Sequence, residues 1–327
     1  FELIGDGRSN ITYRVSAGER SWVLRRPPLG HVLPTAHDMA REFRVIAALA
    51  DTPVPVPRAL ALCEDTSVND APFYVMEYTP GVIAGGTGLP EGFADTPAKR
   101  RAMSLTLVDT LVALHAIDPE SVGLATFGRP DGYVERQVRR WSQQWERSST
   151  GPLPEIDELI RRLGAALPES PAPAIVHGDY RLGNIALDPS DASRVVAVFD
   201  WEMATLGDPL ADLGYTLIYW ADPGEKVEAL RGIESGPGML TRAEIVTEYA
   251  KRSGRDVSAV DSLLVSELAV LRNAFSLKEV MTKLARDSRE PGITAQDVWR
   301  EWWDTQNFGP GLGMGIHCDD NGMIEGE

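Results

Sequence analysis

Apolar positions follow strand-like spacing near the start of the chain, helical spacing later, and form two short apolar runs in one stretch between. Phe1 to Val15 reads as strand, glycine turn, strand, and Ser21 to Arg26 (S-W-V-L-R-R) as the next strand. From Thr35 to Ala50 the period changes: Met39, Phe43, Ile46 and Ala50 recur at helical spacing, with Thr35 and Asp38 placed to cap the start. Pro53, Pro55 and Pro57 stiffen the exit, and strands are expected at Ala59 to Cys63 and Phe73 to Tyr78. A glycine-rich stretch from Thr79 to Gly92 then marks a shift in composition, and helices dominate beyond it. Ala98 to Ala116 places Met103, Leu107, Leu111 and Leu114 on one face, and residues 132 to 147 place Val134, Val138, Trp141 and Trp145 on one stripe. Glu155 to Leu167 is a further amphipathic helix. Thr241 and Glu244 form a capping box for a helix ending before Gly254. A long helix is expected over Val260 to Ala285, and a last one around Trp299, Trp302 and Trp303.

The two apolar runs lie between Ala174 and Leu213. Ile185 to Leu187 and Val195 to Phe199 are joined by a polar turn, with a charged loop entering the first and another leaving the second. Strands joined by a turn run antiparallel, so His177, Asp179, Asn184 and Asp200 come to one end of a hairpin. Two carboxylates and an amide oxygen at that end suit a hard cation such as Mg²⁺, which shares its shell with water and substrate phosphates. A dinuclear metallophosphoesterase would need several His ligands; the chain has five His, and none is beside Gly183-Asn184. Downstream, Gly207-Asp208-Pro209 signals a helix start, and the helix Leu210 to Trp220 is almost wholly apolar, so Asp212 inside it needs partners. At the other end of the chain, Gly5 and Gly7 allow close backbone approach to a phosphate, and Ser9 and Asn10 add donors. A G-x-G at a hairpin is by itself more often only a turn.

The pattern H-x-D-x-x-x-x-N followed by a strand-borne Asp resembles the catalytic loop and metal Asp of the protein-kinase-like fold. With Gly178-Asp179 after the His, it is most similar to the aminoglycoside phosphotransferase and choline kinase branch. The string D-W-E-M-A-T-L-G-D-P-L-A-D-L resembles the kinase-like domains fused to acyl-CoA dehydrogenases. The resemblance implies an α+β, two-lobed fold: a small β-rich lobe over residues 1–80 and a larger, mainly helical lobe over 81–327. It implies ATP and Mg²⁺ as cofactors, Asp179 accepting the acceptor's proton, and Asn184 and Asp200 holding the metal. Arg181 would place a cation near the γ-phosphoryl group, and His177 and Asp212 would brace the loop. The flap over Gly5, Gly7, Ser9 and Asn10 would hold the nucleotide together with Arg25 supported by Glu42, and the backbone at Glu77 and Tyr78 would read adenine. Two departures stand out: Arg25 replaces the usual Lys, and Asn10 replaces the third flap glycine. Arg26, next to Arg25, points the other way and is expected to be a surface charge.

Charge and cysteine content narrow the partners. With 32 Lys and Arg against 48 Asp and Glu, the net charge of −16 argues against a nucleic-acid or anionic-membrane partner. Cys63 and Cys318 form no metal or redox spacing and fit a reducing, cytoplasmic compartment. No apolar run approaches the ~20 residues of a membrane span. The chain begins without Met, which leaves room for a preceding segment. The resemblance leaves three readings of the acceptor side open. A small-molecule hydroxyl of a hydroxyacyl-CoA or hydroxy acid, with a link to acyl-CoA metabolism, would suit the Arg136 to Arg140 helix. An aminoglycoside would be a polycation, and a pseudokinase would bind nucleotide without turnover.

Overall fold

The structure is a computed structural model, which describes residues 1–4, 10–28, 38–84, 89–148, 154–165, 167, 170–220, 222 and 236–261. Gly5, Gly7 and Ser9 lie outside the described residues, as do Thr35, most of the helix expected over Val260 to Ala285, and the one around Trp299 to Trp303.

The N-terminal part is an antiparallel sheet of β1 (Glu2–Leu3), β2 (Ile11–Ala17), β3 (Arg20–Arg26), β4 (Ala59–Cys63) and β5 (Phe73–Glu77), ordered β1-β2-β3-β5-β4. The β2–β3 hairpin pairs Ile11 with Arg26 through Ala17 with Arg20, turning at Gly18. Helix α1 (Met39–Leu49) packs on this sheet, and the Asp38 carboxylate caps it by accepting from the Arg41 amide at 2.9 Å. Its buried face is Met39, Glu42, Val45, Ile46 and Leu49, so an acidic residue sits on the apolar stripe while Ala50 is exposed.

Arg26 is a correction to the sequence reading. It is buried, because a short helix α2 (Thr66–Asn69) that the periodicity does not announce brings Asn69 Oδ1 within 2.9 Å of its guanidinium.

The C-terminal part begins with β6 (Val82–Ile83) and helix α3 (Pro97–His115), capped by Thr96, with Met103, Leu107, Leu111 and Leu114 buried. Helices α4 (Tyr133–Ser148) and α5 (Pro154–Ala165) pack on each other. The expected hairpin forms as β8 (Ile185–Asp188) and β9 (Asp191–Val198), with β6 added on the outer side of β8. Strand β7 (Ala174–Val176) pairs antiparallel with β10 (Thr205–Gly207), registering Val176 with Thr205. Helix α6 (Pro209–Ile218) starts at the Asp208 cap and is buried along nearly its whole length. Helix α7 (Arg242–Ser253) carries the Thr241/Glu244 capping box and stops at Gly254, φ 67°; the four-residue α8 (Ser258–Asp261) follows. Among the described residues, no helix is long and apolar enough to cross a membrane.

Candidate active site

The loop from His177 to Asn184 leaves β7, crosses the end of the β8–β9 hairpin and is tied down on every side. Asp212, one turn into α6, accepts from the His177 amide at 2.7 Å and the Gly178 amide at 2.8 Å. His115 Nε2 stands 3.3 Å from the same carboxylate, and its Nδ1 meets the Tyr249 hydroxyl at 2.7 Å. Burial alone would raise the Asp212 carboxyl, but the hydrogen bond from His115 and the loop amide hold it below the ordinary carboxylate range. Tyr180 reaches the Leu107 carbonyl of α3 at 2.8 Å, and Thr216 Oγ1 donates to the Tyr180 carbonyl at 2.9 Å.

Gly178 is required by two facts at once. Its φ is +81°, and an added Cβ would fall 2.8 Å from the Met203 carbonyl oxygen.

His177 links the two halves of the site. Its Nδ1 accepts from the Asp179 amide at 3.1 Å, which leaves Nε2 to donate to the Phe199 carbonyl at 2.8 Å. Phe199 in turn donates to the Asn184 carbonyl at 2.8 Å. The ring is fully buried against Trp201. Asn184 Nδ2 donates to both the carbonyl and the carboxylate of Asp179, each at 2.8 Å, which leaves Asn184 Oδ1 as an oxygen donor. Asp200 follows β9 in left-handed conformation, φ 65°, uncommon for a residue with a Cβ and consistent with a site that over-determines it.

Opposite stands Arg25 on β3. Its Nε donates to Glu42 Oε2 at 3.1 Å, its Nη2 donates to Asp200 Oδ1, and Glu202 Oε2 lies 3.7 Å away. Burial alone would lower the Arg25 guanidinium; the carboxylates of Glu42 and Asp200 outweigh it and hold it above its ordinary value. Glu42 is buried, and burial pushes its carboxyl up to about 7 against the pull of Arg25. Asn10, at the end of the flap, donates to Glu202 Oε2 at 2.9 Å. Glu202 is the residue sequence reasoning passed over. It was visible two positions after Asp200, but nothing in the spacing says that it reaches across to β3.

Beside Asp179, Arg181 Nε donates to Asp179 Oδ1 at 3.3 Å and its guanidinium carbon lies 5.1 Å from the centre of the Tyr219 ring, which is itself 5.2 Å from Tyr215. Arg136 is half-buried and donates to the carbonyls of Arg129 and Asp131. Arg139 and Arg140 are exposed. At the end of β5 the Glu77 amide donates to the Arg58 carbonyl at 2.9 Å, and Arg14 stacks 4.2 Å over Tyr78.

The donor set fits Mg²⁺. Asn184 Oδ1 and the Asp200 carboxylate offer two kinds of hard oxygen, fewer than a cation's full shell. A cation here would thus complete its shell from phosphate and water, as Mg²⁺ does.

A small antiparallel sheet with an inward Arg–Glu pair, joined to a helical part holding an Asp/Asn/Asp constellation, defines an α+β protein-kinase-like fold. The chain belongs to the phosphotransferase enzyme family, whose model matches residues 1–245. It is 41% identical over 243 residues to acyl-CoA dehydrogenase family member 10 of Mus musculus, covering 74% of this chain and 22% of that protein. Against the probable acyl-CoA dehydrogenase IBR3 of Arabidopsis thaliana it is 33% identical over 312 residues, 90% of this chain and 37% of that protein. The chain thus spans well under half the length of either relative. A solved structure from Ralstonia eutropha, provisionally described as an aminoglycoside phosphotransferase, superposes with a TM-score of 0.70 at 32% identity, covering 92% of this chain and 88% of that one.

Proposed function

We propose that this chain is an ATP- and Mg²⁺-dependent phosphotransferase that moves the γ-phosphoryl group to a hydroxyl of a small molecule, with a hydroxyacyl-CoA or hydroxy acid as the acceptor. The observation that carries the reading is the Asn184 amide bonded to Asp179 at the end of a hairpin whose other strand delivers Asp200 to Arg25 and Glu42. Asn184 Oδ1 and Asp200 would hold Mg²⁺, which supplies charge neutralisation for the phosphate oxygens. Arg25, fixed by Glu42, holds phosphate oxygens; as an Arg it can do so with two parallel donors. Asp179 accepts the hydroxyl proton as the acceptor oxygen bonds to phosphorus and the bond from phosphorus to the nucleotide's bridging oxygen breaks. Arg181 stabilises the charge in transit. Adenine would lie along the backbone of Glu77 and Tyr78, between a nucleotide lobe over 1–80 and an acceptor lobe over 81–327.

The acceptor class rests on what surrounds Asp179. A half-buried Arg181 with Tyr215 and Tyr219 beside it suits an anionic acceptor better than a polycation, and the relatives bearing acyl-CoA dehydrogenase names support a thioester substrate. The test is turnover with Mg²⁺ and ATP against a 4-hydroxyacyl-CoA series and an aminoglycoside panel, read by mass spectrometry, with Asp179→Asn as control. Phosphorylated hydroxyacyl-CoA, abolished in the variant, is the expected result. Phosphorylated aminoglycoside would transfer the assignment to the antibiotic class, and silence of both panels with nucleotide still bound would leave an acceptor of another class or a pseudokinase.

A further inference from the structure

Arg41 and Arg44 project from α1 toward the C-terminal part, on a different side from Glu42. Residues three apart on a helix share a face, and a neighbour one position along is rotated by about 100°. Arg41 Nη2 donates to the Phe127 carbonyl at 2.6 Å and the Ala204 carbonyl at 3.0 Å, and its guanidinium carbon lies 3.9 Å from the centre of the Phe127 ring. Arg44 Nη2 donates to the Gly123 carbonyl at 2.8 Å. The shelf these groups meet is itself fixed: Phe127 is buried, and Gly128 lies so close to β10 that an added Cβ would stand 2.7 Å from the Leu206 amide nitrogen. Ala204 ends the short turn Trp201–Met203 that follows Asp200. One guanidinium thus ties α1 both to a buried aromatic shelf and to the segment carrying the metal-side carboxylates.

We propose that Arg41 is a positioning residue: by clamping α1 to the Phe127 shelf and the Ala204 carbonyl, it fixes Glu42, and through Glu42 the phosphate-holding fork of Arg25. The inference rests on the nucleotide-binding part of the reading above. An unclamped α1 would hold Glu42 against Arg25 only part of the time. Apparent affinity falls by the fraction of time the competent arrangement is populated, so a tenth of the time means a loss of about tenfold.

The experiment is calorimetric titration of the whole chain with Mg²⁺ and a non-hydrolysable ATP analogue, with folding checked by circular dichroism. Arg41→Ala is expected to weaken binding about tenfold. Leu49→Ala, which removes buried volume at the far end of α1 without touching the clamp, should stay within about twofold. Adding Arg41→Ala to Glu42→Gln should weaken binding little further, because both act through one arrangement. Should Arg41→Ala not fold, Phe127→Leu keeps the carbonyl and removes the ring, and it is judged by the same comparisons. Unchanged affinity in the folded clamp variant, full additivity with Glu42→Gln, or an equal loss in Leu49→Ala would each overturn the proposal. A wild-type chain that binds no nucleotide would overturn the functional reading and this inference together, whereas tight wild-type binding with an indifferent Arg41→Ala would sink this inference alone.

Discussion

Glu42 and Asp212 are both buried carboxylates, yet their surroundings act on them in opposite directions. Asp212 accepts two backbone amides and faces His115, so its charged form is favoured in the fold; Glu42 is paired with Arg25 and lies beside the buried Tyr74 hydroxyl, and these do not offset the cost of its burial. The Glu42 carboxyl rises from 4.5 to about 7 on folding. A raised carboxyl binds its proton more tightly in the folded state. Its contribution is fully present below about pH 4.5 and is lost as pH rises toward 7. The difference in unfolding free energy between wild type and Glu42→Gln, followed by urea melts over that window, should therefore shift with pH against the wild type. A flat difference would show that Arg25 holds Glu42 ionised throughout. For Asp212 the sign reverses, with stability present above the ordinary Asp value and lost on acidification below it. Asp212→Ala strands two buried amides and should cost about 2–5 kcal/mol by the same melts. A cost under about 1 kcal/mol would mean that the loop finds other partners.

At the level of elements, the site depends on how closely the 177–184 loop passes the turn after β9. Gly178 faces the Met203 carbonyl with no room for a methyl group and a backbone that side chains rarely adopt. Gly178→Ala should destabilise the fold by roughly 1–3 kcal/mol and weaken Mg²⁺-nucleotide binding, since the turn it pushes carries Asp200 and Glu202. Retention of both properties would show that the loop can shift without moving the turn. The sequence carried much of this region. Apolar runs around a polar turn announce β8 and β9, the Asp208-Pro209 pair marks the start of α6, and Thr241 with Glu244 marks α7. What it did not carry are features that depend on distant partners. Strand β10 is only Thr205–Gly207 and is paired with β7; α2 is four residues with no period to read; and the buried Arg26 is bonded to Asn69, 43 positions away. Likewise Asp179, Asn184 and Asp200 are close to each other in sequence or joined by one hairpin, whereas the reach from Asn10 to Glu202 spans 192 positions and no local signal encodes it.

At the scale of the whole molecule, a net charge of −16 surrounds a site lined by Arg25 and Arg181. The two levels act at different distances. Near-contact ion pairs inside a partly buried cleft are screened weakly, whereas the field of many exposed carboxylates acts on an approaching ligand and is cut off beyond about 8 Å at physiological salt. On the proposed reading, a polyanionic acyl-CoA would be repelled at long range and held at short range, whereas a polycationic aminoglycoside would be drawn in at long range and meet Arg181 at short range. The salt dependence of capture consequently has opposite signs for the two acceptor classes. Raising ionic strength from about 20 to about 150 mM should increase kcat/KM for a hydroxyacyl-CoA, because screening removes the repulsion while leaving the cleft contacts nearly intact. The same change should lower kcat/KM for an aminoglycoside. Arg181→Gln sharpens the reading, since it removes the short-range cation and leaves the acidic exterior. With a hydroxyacyl-CoA, the variant should lose kcat/KM at every ionic strength and keep the upward slope. A downward slope for the anionic acceptor in the wild type would show that the cleft's own cations govern the approach, and the argument from exterior charge would fail.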